Sequence, residues 1–124
     1  MKQLNYLKGK NGELIAKNYL LEKDYKFVEQ NYKNYLGEID LIMSFRDILV
    51  FVEVKLKVGN RFGLPEEMIN RNKISRVKRV AESYLVLNPI ISQNYKKYRL
   101  DAICVVVNEL NCIKRINHYK NIEF

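Results

Sequence analysis

The chain has 124 residues, 48% of them hydrophobic and 29% charged, with five glycines and two prolines. That is the length of one domain with its own core, too poor in Gly and Pro for a linker, and no run reaches the ~20 apolar residues of a membrane-spanning helix. Twenty-two basic residues against 14 acidic, a net charge of +8, suggest a polyanion as partner, nucleic acid ahead of a membrane surface.

Gln3 to Lys23 reads as a helix, with Leu4, Leu7, Leu14, Ile15 and Leu21 recurring at three- and four-residue steps. Tyr25 to Asn31 reads as a short strand. Leu36 to Ser44 and Ile48 to Lys57 are two further strands joined by a turn near Phe45–Asp47. The run ILVFVEVKLK is nearly continuous in β-branched and aromatic residues, which predicts a strand covered on both faces. Val58 to Leu64 carries two glycines and reads as a loop. Pro65 then suits the first position of a second helix, with Glu66 and Glu67 at its positive end. Val77, Val80, Ala81, Tyr84 and Leu85 form its apolar stripe, and Pro89 stops it. Arg99 to Val107 is a buried strand, and Cys112 to Asn117 pairs with it as a hairpin. The order α-β-β-β-α-β-β predicts an α/β fold, a mixed five-stranded sheet flanked by helices, in one domain over residues 1–124.

A single histidine, His118, excludes a two-histidine metal site; it is placed at the surface or in the hairpin and given no catalytic role. Cys104 and Cys112 make neither a disulfide framework nor a zinc knuckle, and both read as buried free thiols. The N-terminal residues do not follow a secretion-signal pattern, so a cytoplasmic protein is expected.

The informative charges lie inside the central strands. Asp40 interrupts Ile39, Leu41 and Ile42, while Glu53 and Lys55 interrupt Val50, Phe51, Val52 and Val54. Side chains alternate along a strand, so Glu38 shares a face with Asp40, and Glu53 with Lys55. A two-residue turn at Arg46–Asp47 places Asp40 opposite Glu53, with Cβ atoms about 5 Å apart. Two carboxylates so close repel, and a hard divalent cation such as Mg²⁺ or Mn²⁺ relieves the repulsion through oxygen ligands. Glu13 adds a third oxygen if the first helix packs over the site. The competing reading is an ion pair on a half-exposed sheet. Asp-x12-Glu-x-Lys across a hairpin suits phosphodiester hydrolysis, with the metal polarising a phosphoryl oxygen and the lysine offsetting charge on phosphorus.

Gly37-Glu38-Ile39-Asp40-Leu41-Ile42 followed by Phe51-Val52-Glu53-Val54-Lys55 resembles the YraN-like proteins, an uncharacterised bacterial group of the PD-(D/E)xK, or restriction-endonuclease-like, superfamily. Gly9, Gly12, Glu13, Ala16, Tyr19 and Leu20 match the opening helix, and Asn31 the end of the first strand. Lys73 matches the second helix, Arg99 and Asp101 the fourth strand, and Asn121 and Phe124 the closing segment. Asp24 stands where glycine is usual, Lys57 where arginine is common, and the superfamily's proline before the aspartate is absent. The resemblance implies a restriction-endonuclease-like core. It implies metal ligands at Asp40, Glu53, Val54 and Glu13, with Lys55 as the catalytic lysine. Glu13 is similar in position to the helix glutamate of archaeal Holliday-junction resolvases.

Arg71, Lys73, Arg76, Lys78 and Arg79 place five basic residues within nine positions. Lys73, Arg76 and Arg71, with Arg61 from the loop after the catalytic strand, are the candidate phosphate contacts. The segments NYKNY (Asn31 to Tyr35) and NYKKY (Asn94 to Tyr98) interleave aromatic and basic residues as single-strand binders do, but both also read as ordinary polar loops. The expected activity is Mg²⁺- or Mn²⁺-dependent cleavage of DNA, of branched DNA by analogy with the resolvases, where a homodimer would suit cutting of two strands. The alternative is a nucleic-acid-binding module that keeps the fold without turnover.

Overall fold

Helix α1 (Lys2–Glu22) ends in a turn that its sequence dictates. The Tyr25 N–H donates to the Leu20 carbonyl and the Asp24 N–H to the Leu21 carbonyl, the pair of bonds that closes a Schellman motif. Asp24 takes the left-handed position of that motif, at φ 70°, which explains why glycine is usual there and why aspartate is tolerated. The structure is a computed structural model describing residues 2–59, 61 and 63–123, with side chains from residue 11 onward. Phe124 and the side chains of Leu4 and Leu7 lie outside the described residues. The stripe of α1 that faces the sheet runs through Gly12, Ala16 and Leu20; Leu14 and Leu21, expected in it, are exposed. A Cβ at Gly12 would stand 3.0 Å from Leu56 Cβ, so glycine lets the helix lie close on the sheet.

Five strands follow in the spatial order β1 to β5. β1 (Lys26–Asn34), β2 (Gly37–Phe45) and β3 (Ile48–Val58) form an antiparallel meander. β4 (Lys97–Val107) lies parallel to β3, and β5 (Ile113–Tyr119) pairs antiparallel with β4. The sheet is therefore mixed and five-stranded, flanked by helices in the expected order. β3 is covered on both faces as its composition predicts. Val50, Val52 and Val54 pack beneath α1, while Leu49 and Phe51 pack beneath helix α2 (Arg71–Leu87) with Val77, Val80, Ala81 and Tyr84.

Four expectations need correction. The second helix does not begin at Pro65: Pro65–Met68 is a separate 3₁₀ turn, Ile69 is extended, and Asn70 caps α2 by accepting the Lys73 N–H at 2.9 Å. β1 runs on to Asn34, so NYKNY is mostly strand, and Asn31 is an interior residue at φ 53°. Cys112 is exposed in the turn before β5, and only Cys104 is buried. His118 lies in the hairpin strand β5, as one of its two readings had it, and not at the surface, since its side chain is 6% exposed.

Candidate active site at the β2–β3 seam

The β2–β3 ladder starts at Phe45↔Ile48, closing the two-residue turn at Arg46–Asp47, and runs to Leu41↔Val52. One further step of this register sets Asp40 against Glu53, at a non-hydrogen-bonded position where facing side chains come closest. At that step the ladder opens. The register would aim the Val54 N–H at the Ile39 carbonyl; it donates instead to Asp40 Oδ2 at 2.8 Å. Asp40 thus turns into the seam between the strands, and the alternation of β2 breaks there. Leu41 packs on the α1 side, whereas Ile39 packs with Ile42 on the α2 side.

Glu53 is 2% exposed, which removes the reading of a half-solvated surface pair. Its Oε1 lies 3.3 Å from Lys55 Nζ and 3.5 Å from Lys73 Nζ. Lys55 arrives from the same face of β3, and Lys73 reaches down from the first turn of α2, where the Asn70 cap fixes its backbone. Burial, and then the neighbouring Glu53 charge, push the Asp40 carboxyl up to about 7 against the opposing effect of the Val54 N–H.

Glu13 faces the same region closely enough for its charge to act on Asp40. Its Oε1 accepts a 2.7 Å hydrogen bond from Asn31 Nδ2. Among the described residues no group of three His, Cys, Asp or Glu side chains closes to metal-holding distance, so Glu13 does not join Asp40 and Glu53 in a triad. The left-handed Asn31, given no part in the site by the sequence reading, thus helps to orient Glu13.

The donor set suits a hard cation. Asp40 and Glu53 supply carboxylate oxygens, and Val54, whose side chain has no donor, supplies a carbonyl. The N–H and C=O of one strand residue leave on the same edge, so this carbonyl faces the opened seam. Burial first and then the crowding of negative charge raise Asp40, and a divalent ion would relieve that crowding.

The basic residues of α2 do not share one face. Arg76 is exposed, and Arg61 is exposed in the loop after β3. Arg71 and Lys78 line a cleft between α2, the start of β4 and residues 121–123.

Residues 12–105 match the uncharacterised protein family UPF0102. The chain belongs to this family. It is 40% identical over 116 residues to a UPF0102 protein of Caldanaerobacter subterraneus subsp. tengcongensis, covering 91% of each chain. It is 37% identical over 126 residues to one of Clostridium botulinum strain Eklund 17B, covering 98% of this chain and 97% of the relative. With one of Clostridioides difficile strain 630 it is 40% identical over 117 residues, covering 94% and 96%. The UPF0102 match contains Glu13, Asp40, Glu53, Lys55 and Lys73, and ends before His118.

A second buried carboxylate lies on the α1 face. Asp101 accepts from Arg99 Nε at 2.9 Å and Nη2 at 3.1 Å, and from the Asn121 N–H at 2.9 Å. His118 Nε2 lies 2.7 Å away, and Arg99 Nη2 also donates to the Tyr25 hydroxyl. Burial pushes Asp101 up, but His118, Arg99 and the Asn121 N–H outweigh it and hold the carboxyl below its ordinary value. Sequence reading missed this network, although Arg-x-Asp on one face of a buried strand requires partners.

Proposed function

We propose that the protein is a cytoplasmic, divalent-metal-dependent nuclease that hydrolyses phosphodiester bonds in DNA, with Mg²⁺ or Mn²⁺ held at the β2–β3 seam. One observation carries the reading: Asp40 and the buried Glu53 crowd one opened step of the ladder, with two lysine ammonium groups converging on Glu53. A carboxylate pair in an apolar sheet is costly unless charge and hydrogen bonds compensate it. Asp40, Glu53 and the Val54 carbonyl would hold the ion, and Glu13 stands close enough to bias its charge. When bound, the ion supplies a Lewis acid for a phosphoryl oxygen and a water of lowered pKa. Lys55 holds its ammonium group beside the site, where it stabilises negative charge growing on a phosphate. Lys73, one-third exposed, offers a second ammonium group to the same phosphate. Arg76 and Arg61 are the candidates for contacts with neighbouring phosphates.

Calorimetric titration with Mn²⁺ tests the site, and incubation with duplex, single-stranded, flap and four-way DNA tests the activity. Saturable Mn²⁺ binding is expected, lost in Glu53→Gln, and cleavage of at least one DNA form, lost in Asp40→Asn while DNA binding persists. Failure to cut any of the four under either metal, with DNA binding intact, would replace the enzyme with a binding module.

A further inference from the structure

Helix α2 separates two regions of positive charge. Lys73 stands on the flank that meets Glu53, and Ser83, two to three turns on, accepts from Asn34 Nδ2 at the β1–β2 turn. The opposite flank borders the cleft, about 720 Å³ in volume, in which Arg71 and Lys78 are lined up with Ser75 and Tyr98. That volume belongs to sites that hold a whole organic group, not a single ion. Arg71 and Lys78 are exposed, and neither makes an ion pair or side-chain hydrogen bond among the described residues. Seven residues of helix set them about 10 Å apart along its axis, a span for two phosphates of one strand and too long for two oxygens of one phosphate.

The aromatic wall is held in place. Tyr98 sets its ring edge-on to Phe51 with centroids 5.9 Å apart, and the charge of Glu82, one turn beyond Lys78, acts on its hydroxyl. Arg99 also borders the cleft, but its guanidinium is committed to Asp101; the exposed Glu123 is the acid in the lining. Two uncommitted cations on a helix with a fixed aromatic ring beside them are the components of a single-strand platform. A paired base cannot offer its face to such a ring.

We propose that this cleft binds a single-stranded polynucleotide, with Arg71 and Lys78 on backbone phosphates and a base against Tyr98. The binding stands by itself. Only its consequence rests on the nuclease reading: the substrate would be forked or flapped DNA, its unpaired arm passing the first turn of α2 between Lys73 and Arg71.

The test is anisotropy of a dye-labelled oligothymidylate with full-length protein in EDTA. Lys78→Glu is expected to weaken binding about tenfold and to reduce the salt slope by about one phosphate contact. Arg79→Glu makes the same charge change on an exposed position outside the cleft and is expected to weaken binding less than about threefold. Tyr98→Leu, checked for folding by circular dichroism, is expected to weaken binding with the salt slope unchanged. Equal losses in Lys78→Glu and Arg79→Glu would overturn the proposal, as would tighter binding of a blunt duplex of the same length. If wild type cuts no DNA while Lys78 and Arg79 still differ, the seam reading fails and the cleft stands. If DNA is cut but the two variants behave alike, the cleft fails and the seam stands.

Discussion

Asp101 and Glu53 are buried acids of one sheet, Glu53 crowded by the half-buried Asp40, and the chain treats the two sites in opposite ways. Around Asp101, three N–H donors and the His118 ring nitrogen take up both carboxylate oxygens at 2.7–3.1 Å, and its pKa falls. At the seam, Asp40 receives one N–H, Glu53 has two lysines at 3.3 and 3.5 Å, and the Asp40 carboxyl is pushed up. A saturated carboxylate has no lone pair to give a ligand, so Asp101 fastens β4 to β5 and the closing segment. An undersatisfied pair keeps lone pairs available. Burial alone therefore does not mark a site; burial with unspent acceptor capacity does.

The comparison breaks most visibly if Asp101 is removed. Asp101→Ala leaves Arg99 and His118 without their anion inside the core, and the expected loss is about 3–5 kcal/mol, read as a lower urea midpoint. The pH dependence has a definite sign. The folded carboxyl titrates below the ordinary aspartate value of 3.8, so its stabilisation is complete above that pH and is lost as pH falls through the lower folded value. Wild type should unfold on acidification with a contribution that Asp101→Ala lacks.

Glu53→Gln is the next largest. It leaves the Lys55 and Lys73 ammonium groups facing each other over a neutral amide, with an expected loss of about 1–3 kcal/mol together with Mn²⁺ binding. Asp40→Asn should do the reverse. Its amide oxygen can still accept the Val54 N–H, and the repulsion from Glu53 disappears. The folded Asp40 carboxyl titrates at about 7 against 3.8 in the unfolded chain, so wild type loses stability as pH rises through that interval. In EDTA at pH 8 the asparagine variant should be more stable by about 1–2 kcal/mol, and the gain should vanish near pH 4. A destabilised Asp40→Asn at pH 8 would mean that the seam is as well satisfied as Asp101.

Much of this contrast was legible in the residues. The two-residue turn and the alternation of β3 sufficed to bring Asp40 near Glu53 and to put Lys55 beside Glu53, because loop length fixes the register of a hairpin. The opening of the ladder was not legible: it depends on Asp40 capturing the Val54 N–H, a choice between two acceptors on adjacent residues. Helix α2 begins after Asn70 because asparagine is a better N-cap than Leu64, whereas the sequence reading took Pro65 as the start. The hairpin reading of His118 holds, but its burial was not legible: β5 carries it over Tyr19 and Tyr25 to Asp101. Long-range pairing of this kind leaves no local periodicity to read.

The smallest effect on stability discriminates most finely between the two regions. Lys73 is one-third exposed and sits 3.5 Å from Glu53, so its ion pair is worth less than about 1 kcal/mol, and Lys73→Met should barely move the urea midpoint. The matching change on the other face, Arg99→Met, cuts two hydrogen bonds to a fully buried acid and should cost several times more. Mn²⁺ titration then separates the roles. If Lys73 competes with an ion for Glu53 Oε1, its removal should tighten Mn²⁺ binding a few-fold while DNA affinity falls. Weaker Mn²⁺ binding in Lys73→Met would show that the lysine holds Glu53 in its ligating position, and the seam would then resemble the Asp101 network in depending on its cations for shape.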